Sequence, residues 1–185
     1  MLPGTFNART VAQSSPNLSW VMIDCEHGLT SLQPNAAESI QAIQGAGAGS
    51  PSPIVRIPAT GFSTGTSWQI KYALDAGARG VLVPMVSTAE KAKEIVADSR
   101  FPPVGRRGLG SPFAPANWGI NASEYVTSAN ENILVMVQIE TKEGVDNVKA
   151  IAETDGIGLI QMQAIICSML AHAAHWCRRI IYWTI

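Results

Sequence analysis

The segment "NILVMVQIE" (132–140) gives the strongest strand signal in the chain, because apolar residues run through it almost without interruption. The helix-like segment "TKEGVDNVKAIAET" (141–154) follows it directly. A continuously apolar strand is typical of a parallel sheet that is buried on both faces by the helices between its strands. This pair therefore predicts one β/α unit of an α/β fold.

Three earlier segments repeat the pattern, each followed by a helix-like stretch: "WVMID" (20–24), "SPIVRIP" (52–58) and "RGVLVPMV" (79–86). The clearest of these helices is "STAEKAKEIVADSR" (87–100), which begins at a Ser-Thr pair suited to an N-cap. Strands that alternate with helices leave two architectures, a (β/α)-barrel and an open doubly wound sheet. No G-x-G-x-x-G follows a strand, which disfavours a dinucleotide-binding sheet. In either architecture, ligands bind at the carboxyl ends of the strands.

Composition excludes several classes of function. The chain has 185 residues, of which 46% are apolar and 15% are charged, as expected of a globular domain with a core. Its formal net charge of −1 provides no global field that would attract nucleic acid or an anionic membrane. The three cysteines lack zinc-type spacing and predict free thiols in a reducing compartment. We therefore expect a cytoplasmic protein with no nucleic-acid and no membrane partner.

Polar residues crowd the carboxyl end of the first strand. Asp24 and His27 are three positions apart, so they converge only if the chain turns there, which Gly28 favours. A carboxylate beside an imidazole is a general acid/base arrangement. Alternatively, Asp24 caps the turn and His27 is exposed. The residues alone leave both interpretations open.

Two other strands carry polar side chains near their carboxyl ends. Arg56 lies between β-branched neighbours, and a guanidinium in a buried strand needs an anionic or carbonyl partner, either a ligand or a structural ion pair. Gln138 and Glu140 alternate along their strand and share one face, opposite Val137 and Ile139. Glu140 is suited to a hard divalent cation such as magnesium or manganese. A solvated strand end is the alternative for this pair.

Five blocks of the sequence together resemble the HpcH/HpaI aldolase family, the metal-dependent pyruvate aldolases. They are "WVMIDCEHG", "PIVRIP", "ALDAGARGVLVPMVSTAEKA", "FPPVGRRGLGSPF" and "VMVQIETKEGVDNV", in the order and at the spacings of that family. The resemblance implies a (β/α)8 TIM barrel of the phosphoenolpyruvate/pyruvate type, assembled into a homo-oligomer. It also implies a lyase that cleaves a 4-hydroxy-2-oxo acid to pyruvate and an aldehyde through a metal-bound enolate. Oxaloacetate decarboxylation, which uses the same enolate, is the nearest enzymatic alternative.

The resemblance also implies a role for each matching residue. Glu140 would be a metal ligand for Mg²⁺, Mn²⁺ or Co²⁺, with Gln138 close by at the substrate. Arg56 would bind the keto oxygen and stabilise the charge of the enolate. His27, oriented by Asp24, would be the acid/base group and would act through a water molecule.

The resemblance ends near residue 160. The family continues there with a Gly-Pro-x-Asp-Leu motif whose Asp is the second metal ligand, whereas this chain reads "LIQMQAIICSMLAHAAHWCRRIIYWTI" (159–185). We therefore expect a partial barrel domain over 1–160, incomplete at its C-terminus, and a non-family apolar tail over 161–185. Pairing of this tail with the open edge of the sheet is an alternative, although nothing in its pattern favours it. Poor activity follows from the missing carboxylate, and a catalytically inactive truncated homologue is the alternative. Asp75 matches a family acidic position near the subunit interface.

Overall fold

Parallel strands in simple chain order form the sheet of this protein. The computed structural model describes residues 4–58, 65–163 and 180–183, with residues 163 and 180–183 described by their backbone alone. Each strand pairs in parallel with the next one along the chain, and the sheet order is β1-β2-β3-β4-β5-β6. The strands are β1 Trp20–Asp24, β2 Ser52–Arg56, β3 Gly80–Val83, β4 Leu134–Ile139, β5 Leu159–Gln163 and β6 Ile180–Trp183.

This strand order decides between the two predicted architectures. An open doubly wound sheet reverses its strand order at a switch point, whereas a (β/α)-barrel keeps chain order throughout. The fold class is therefore the (β/α)-barrel type, as predicted. Six strands are present in the part of the chain that the structure describes, against eight in a complete barrel.

Helices connect the strands and cover one face of the sheet. The helix predicted over 87–100 is confirmed, and it begins at Thr88, whose hydroxyl accepts the N–H of Lys91 at 3.2 Å. The single helix predicted over 141–154 is wrong, because it breaks in two at Asn147. The helices are α1 Thr5–Ala12, α2 Ala37–Gln44, α3 Ser67–Asp75, α4 Ala89–Ser99, α5 Ala114–Trp118, α6 Ala122–Asn132, α7 Lys142–Asp146 and α8 Val148–Ala152. Within the described ranges, no helix is long and apolar enough to cross a membrane.

The sheet has two unequal faces. Side chains on its outer face, such as Ile23, Val55 and Ile139, pack with the helices in the main hydrophobic core. Side chains on its inner face form a small separate cluster, of which Ile54 and Leu82 are members. Because side chains alternate along a strand, each of the strands β1 to β5 contributes to both clusters.

Candidate active site

The carboxyl ends of β1 and β2 meet in an ion pair. Asp24 and Arg56 are direct neighbours in the register of the two strands. Arg56 Nε donates to Asp24 Oδ1 at 2.7 Å, and Arg56 Nη2 donates to Asp24 Oδ2, so the pair is bidentate. Arg56 Nη1 also lies 3.3 Å from Glu26 Oε2. The anionic partner that the sequence predicts for Arg56 is thus confirmed, and it is supplied by the chain itself.

This pairing fixes the charges of both groups. Burial alone would raise the pKa of Asp24, but hydrogen bonds from Arg56 and from two backbone N–H groups outweigh it and lower the pKa to about 2. The hydrogen bond to Asp24 raises the pKa of Arg56, and the nearby carboxylates of Glu26 and Glu140 raise it further. Arg56 is therefore a permanent cation at this edge of the sheet.

The turn predicted after β1 is present, but its contacts differ from the predicted acid/base pair. Asp24 Oδ1 accepts the backbone N–H groups of Glu26 at 3.0 Å and of His27 at 3.2 Å. The chain then passes so close to itself that a Cβ on Gly28 would lie 2.2 Å from the carbonyl oxygen of Asp24. Asp24 therefore caps the turn instead of contacting the imidazole of His27, because Arg56 engages both of its oxygens.

The imidazole of His27 lies at the surface beside a different carboxylate. Its side chain is 70% exposed, and its Nε2 is 3.5 Å from Glu26 Oε2. Glu26 is thus shared between His27 and Arg56. The sequence interpretation did not single out Glu26, although a residue two positions after Asp24 lies on the same side of an extended chain, which is the signal for it.

The end of β4 contributes an amide and a third carboxylate. Gln138 is 1% exposed, and neither its Oε1 nor its Nε2 has a hydrogen-bond partner in the described ranges. Buried amides are normally hydrogen-bonded, so this group is available to a ligand on the inner face. Glu140 follows, and its Oε2 accepts the N–H of Met85 at 3.1 Å. Met85 has a left-handed φ of 59°.

The donors present make an incomplete metal site. Glu140 offers a carboxylate and Gln138 an amide oxygen, and both are ligand types that Mg²⁺ and Mn²⁺ accept. However, no group of three or more His, Cys, Asp or Glu side chains that could hold a metal ion occurs in the residues that the structure covers. These residues alone therefore do not fit a complete cation site.

Asp75 lies outside this constellation. It ends α3, five residues before β3 begins, and thus lies near the amino ends of the strands, opposite Asp24. Its carboxylate accepts from Arg107 Nη2 at 2.8 Å and from Lys71 Nζ, and Arg107 also donates to Tyr125 Oη at 2.9 Å. The structure therefore places Asp75 in an ion-pair cluster of its own and not with the other predicted site residues.

Known proteins share both the sequence and the fold. The profile of the HpcH/HpaI aldolase/citrate lyase family matches residues 6–165. A 4-hydroxy-2-oxovalerate aldolase from Novosphingobium aromaticivorans is 45% identical over 139 residues, which are 75% of this chain and 49% of that protein. A hydroxypyruvate/pyruvate aldolase from Roseovarius nubinhibens is 37% identical, over 80% of this chain and 54% of its own length. The chain spans about half the length of the curated relatives that it matches.

Solved structures of proteins from the same family are similar to this chain in fold. An HpcH/HpaI aldolase/citrate lyase family protein from Burkholderia cenocepacia superposes with a TM-score of 0.73 at 31% identity, over 91% of this chain and 64% of its own. Macrophomate synthase superposes with a TM-score of 0.71, also at 31% identity, over 87% of this chain and 53% of its own. With the family profile covering residues 6–165 and the strand order that of a (β/α)-barrel, this chain belongs to the HpcH/HpaI aldolase/citrate lyase family.

Proposed function

We propose that the protein is a carbon–carbon lyase that cleaves a 4-hydroxy-2-oxo acid to pyruvate and an aldehyde. Three relatives support this substrate class by their names: the two aldolases above and a 2-keto-3-deoxy-L-rhamnonate aldolase from Klebsiella pneumoniae, which is 38% identical. The observation that carries the proposal is the set of polar side chains at the carboxyl ends of β1, β2 and β4, which includes the charged guanidinium of Arg56 and the buried amide of Gln138.

Arg56 is suited to bind the 2-oxo acid. A guanidinium has five N–H donors, and hydrogen bonds to Asp24 engage two of them within the described part of the chain. Arg56 Nη1 lies 3.3 Å from Glu26 Oε2 as an ion pair, so donors are left for the keto oxygen of the substrate. Because Asp24 fixes the plane of the guanidinium, the charge is already in place when the enolate forms, which is the preorganisation that electrostatic catalysis requires.

The remaining residues supply binding and proton transfer. Gln138 can donate its amide N–H to the substrate carboxylate. His27 acts as the acid/base group through a water molecule and takes the proton of the 4-hydroxyl group as the C3–C4 bond breaks. The bonding electrons pass to the pyruvate half as an enolate, and a proton returned to C3 completes pyruvate. Glu26, 3.5 Å from His27 Nε2, orients the imidazole.

Metal dependence is general in this family, and Glu140 is the residue of this chain that would bind the cation. We propose Mg²⁺, Mn²⁺ or Co²⁺, since a carboxylate and an amide are oxygen donors. When bound, the cation would supply a Lewis acid for the 2-oxo acid. The Gly-Pro-x-Asp-Leu motif, whose Asp is the second ligand by the family resemblance, does not occur in this sequence. The homo-oligomer and the cytoplasmic location implied by the sequence remain predictions.

A coupled assay of pyruvate release from 4-hydroxy-2-oxovalerate, with and without Mn²⁺, tests the proposal. We expect weak Mn²⁺-dependent release, since the carboxylate set is incomplete, and we expect Glu140→Ala and Arg56→Met each to reduce it to background. Glu143→Ala removes an exposed carboxylate from α7 and is the matched control, so it should retain the activity.

The same assay separates the alternatives. Release from oxaloacetate without release from the 4-hydroxy-2-oxo acid would favour a decarboxylase or an enzyme like macrophomate synthase, to which the fold is also similar. Neither activity, together with no heat of Mn²⁺ binding in calorimetry, would identify an inactive homologue and overturn the proposal.

A further inference from the structure

Met85 has an unusual backbone conformation at the carboxyl edge of the sheet. Its φ of 59° is the one left-handed value at a residue other than glycine within the described ranges. This conformation is unfavourable for a residue with a Cβ, and such residues persist where the surrounding structure holds them, often at ligand sites. The N–H of Met85 donates to Glu140 Oε2 at 3.1 Å, so the conformation brings Met85 directly to a residue of the candidate site.

Contacts of the following residues hold this segment in place. Ser87 Oγ lies 2.6 Å from Thr141 Oγ1, which joins the segment to the turn after β4. The side-chain amide of Asn147 donates to the carbonyl oxygen of Ser87 at 2.9 Å. Strand β3 ends at Val83, so Met85 is held between this strand and the contacts of Ser87. Its position therefore does not depend on a bound ligand.

The side chain of Met85 begins close to the carboxylate of Glu140. A Cβ lies about 2.5 Å from the nitrogen of its own residue, so Met85 Cβ lies within about 5.6 Å of Glu140 Oε2. The residue is 42% exposed and belongs to neither of the two hydrophobic clusters of the described ranges. A half-exposed thioether beside a polar site is a flexible apolar contact that adapts to a ligand.

The strand order places Met85 between the residues that bind the 2-oxo acid in the proposed function. Arg56 ends β2, Met85 follows the end of β3, and Gln138 and Glu140 lie at the end of β4. Arg56 takes the keto oxygen on C2 of the substrate, and Gln138 takes the carboxylate at C1. The remaining carbon of the pyruvate half is C3, which has no polar group to be bound and is suited to an apolar neighbour.

We propose that Met85 is a specificity-determining residue, whose thioether side chain lies beside C3 of the substrate and selects a pyruvate half over a hydroxypyruvate half. This role rests on the proposed function, since it needs a 2-oxo acid bound between Arg56 and Gln138. A hydroxyl group on C3 would exchange water for the thioether, which is only a weak hydrogen-bond acceptor. Apolar contacts reject an added hydroxyl group by up to about a hundredfold.

Calorimetric titration of the unmodified chain with pyruvate and with hydroxypyruvate, in a buffer that contains Mn²⁺, tests the proposal without any substitution. We expect pyruvate to bind about tenfold to a hundredfold more tightly than hydroxypyruvate. Equal affinities, or tighter binding of hydroxypyruvate, would overturn the role of Met85 and leave the proposed lyase function standing. Binding of neither acid would overturn both.

Substitutions then assign the selection to the side chain. Met85→Gln retains the length of the side chain and the backbone N–H, but its amide can hydrogen-bond a hydroxyl group, so it should reduce the preference for pyruvate by about fivefold or more. Met85→Leu keeps an apolar side chain and should retain the preference. Val104→Gln introduces the same amide at an apolar residue that is 67% exposed in the loop after α4, and it should bind both acids like the parent chain. A preference that is unchanged in Met85→Gln would contradict the assignment to Met85.

Discussion

Asp24 performs two tasks with one carboxylate, since it pairs with Arg56 and also accepts two backbone N–H groups of the following turn. Its pKa is lowered from 3.8 to about 2 in the folded chain. The contribution to stability is therefore present above about pH 4 and is lost as the pH falls towards 2. The side chain is 19% exposed, and the shift corresponds to a free energy on the order of 2 kcal/mol before screening by solvent.

Urea unfolding of the parent and of Asp24→Asn at pH 5, 4 and 3 checks this contribution. We expect the parent to lose free energy of unfolding steeply below pH 4, and Asp24→Asn to lose less over the same interval. Asp146→Asn removes an exposed carboxylate and controls for the change in net charge. A slope that is unchanged in Asp24→Asn would place the acid sensitivity of the chain elsewhere.

At the residue scale, the sequence predicted that a side chain requires a partner, but it did not predict which residue is that partner. Arg56 in an apolar strand indicates a requirement for an anionic or carbonyl partner, and Gly28 after Asp24 indicates a turn. The sequence does not reveal that Asp24 and Arg56 meet, since the two are 32 positions apart and only the register of β1 on β2 aligns them. Once that contact forms, the carboxylate is unavailable to His27, and Glu26 takes its place.

At the scale of the elements, the turn that follows β1 positions Asp24 and His27 of the candidate site. The turn after β1 closes at Gly28, where an added Cβ would lie 2.2 Å from the carbonyl oxygen of Asp24. We expect Gly28→Ala to shift the turn, to weaken the two N–H contacts of Asp24 and to cost about 1–3 kcal/mol of unfolding free energy. Catalytic activity should fall as well, because His27 belongs to the same turn.

Gly65→Ala is the matched control for this substitution, since nothing lies within 4 Å of a Cβ at Gly65 and its backbone is not left-handed. Thermal unfolding and the pyruvate assay measure both consequences. A Gly28→Ala chain with the stability and activity of the parent would mean that the turn tolerates the shift and does not fix His27.

For three elements, the structure explains why the sequence pattern gave a wrong prediction or none. The helix predicted over 141–154 divides at Asn147, whose φ of −98° and ψ of 4° lie outside the helical region and whose amide donates to the carbonyl oxygen of Ser87 at 2.9 Å. Helix α6 was not predicted, although Asn121 and Glu124 form a capping box that is readable from the sequence. Strand β6 pairs with β5 in parallel, and an isolated short apolar segment gives no sign that a sheet edge will be available to it.

On the scale of the whole molecule, the two faces of the sheet differ in how much they contribute to stability. The outer face and the helices bury the main core, to which most of the fully buried large side chains belong. The hydrophobic cluster on the inner face has three buried residues within the described ranges, Ile54, Leu82 and Met136, next to a cavity of about 440 Å³. In a complete barrel, side chains fill this interior in layers. We therefore expect the core between the outer face of the sheet and the helices to contribute most of the stability of the fold.

Matched Ile→Ala substitutions on neighbouring strands test this division. Ile23 on β1 is 0% exposed in the main core, and Ile54 on β2 is 6% exposed and borders the cavity. Ile23→Ala should cost about 2–5 kcal/mol, because it opens a new void in close-packed surroundings. Ile54→Ala enlarges a space that already exists, so it forfeits fewer contacts and should cost less. Urea unfolding measures both, and an equal or larger loss for Ile54→Ala would show that the interior is packed and that the inner face supports the fold as strongly as the helices do.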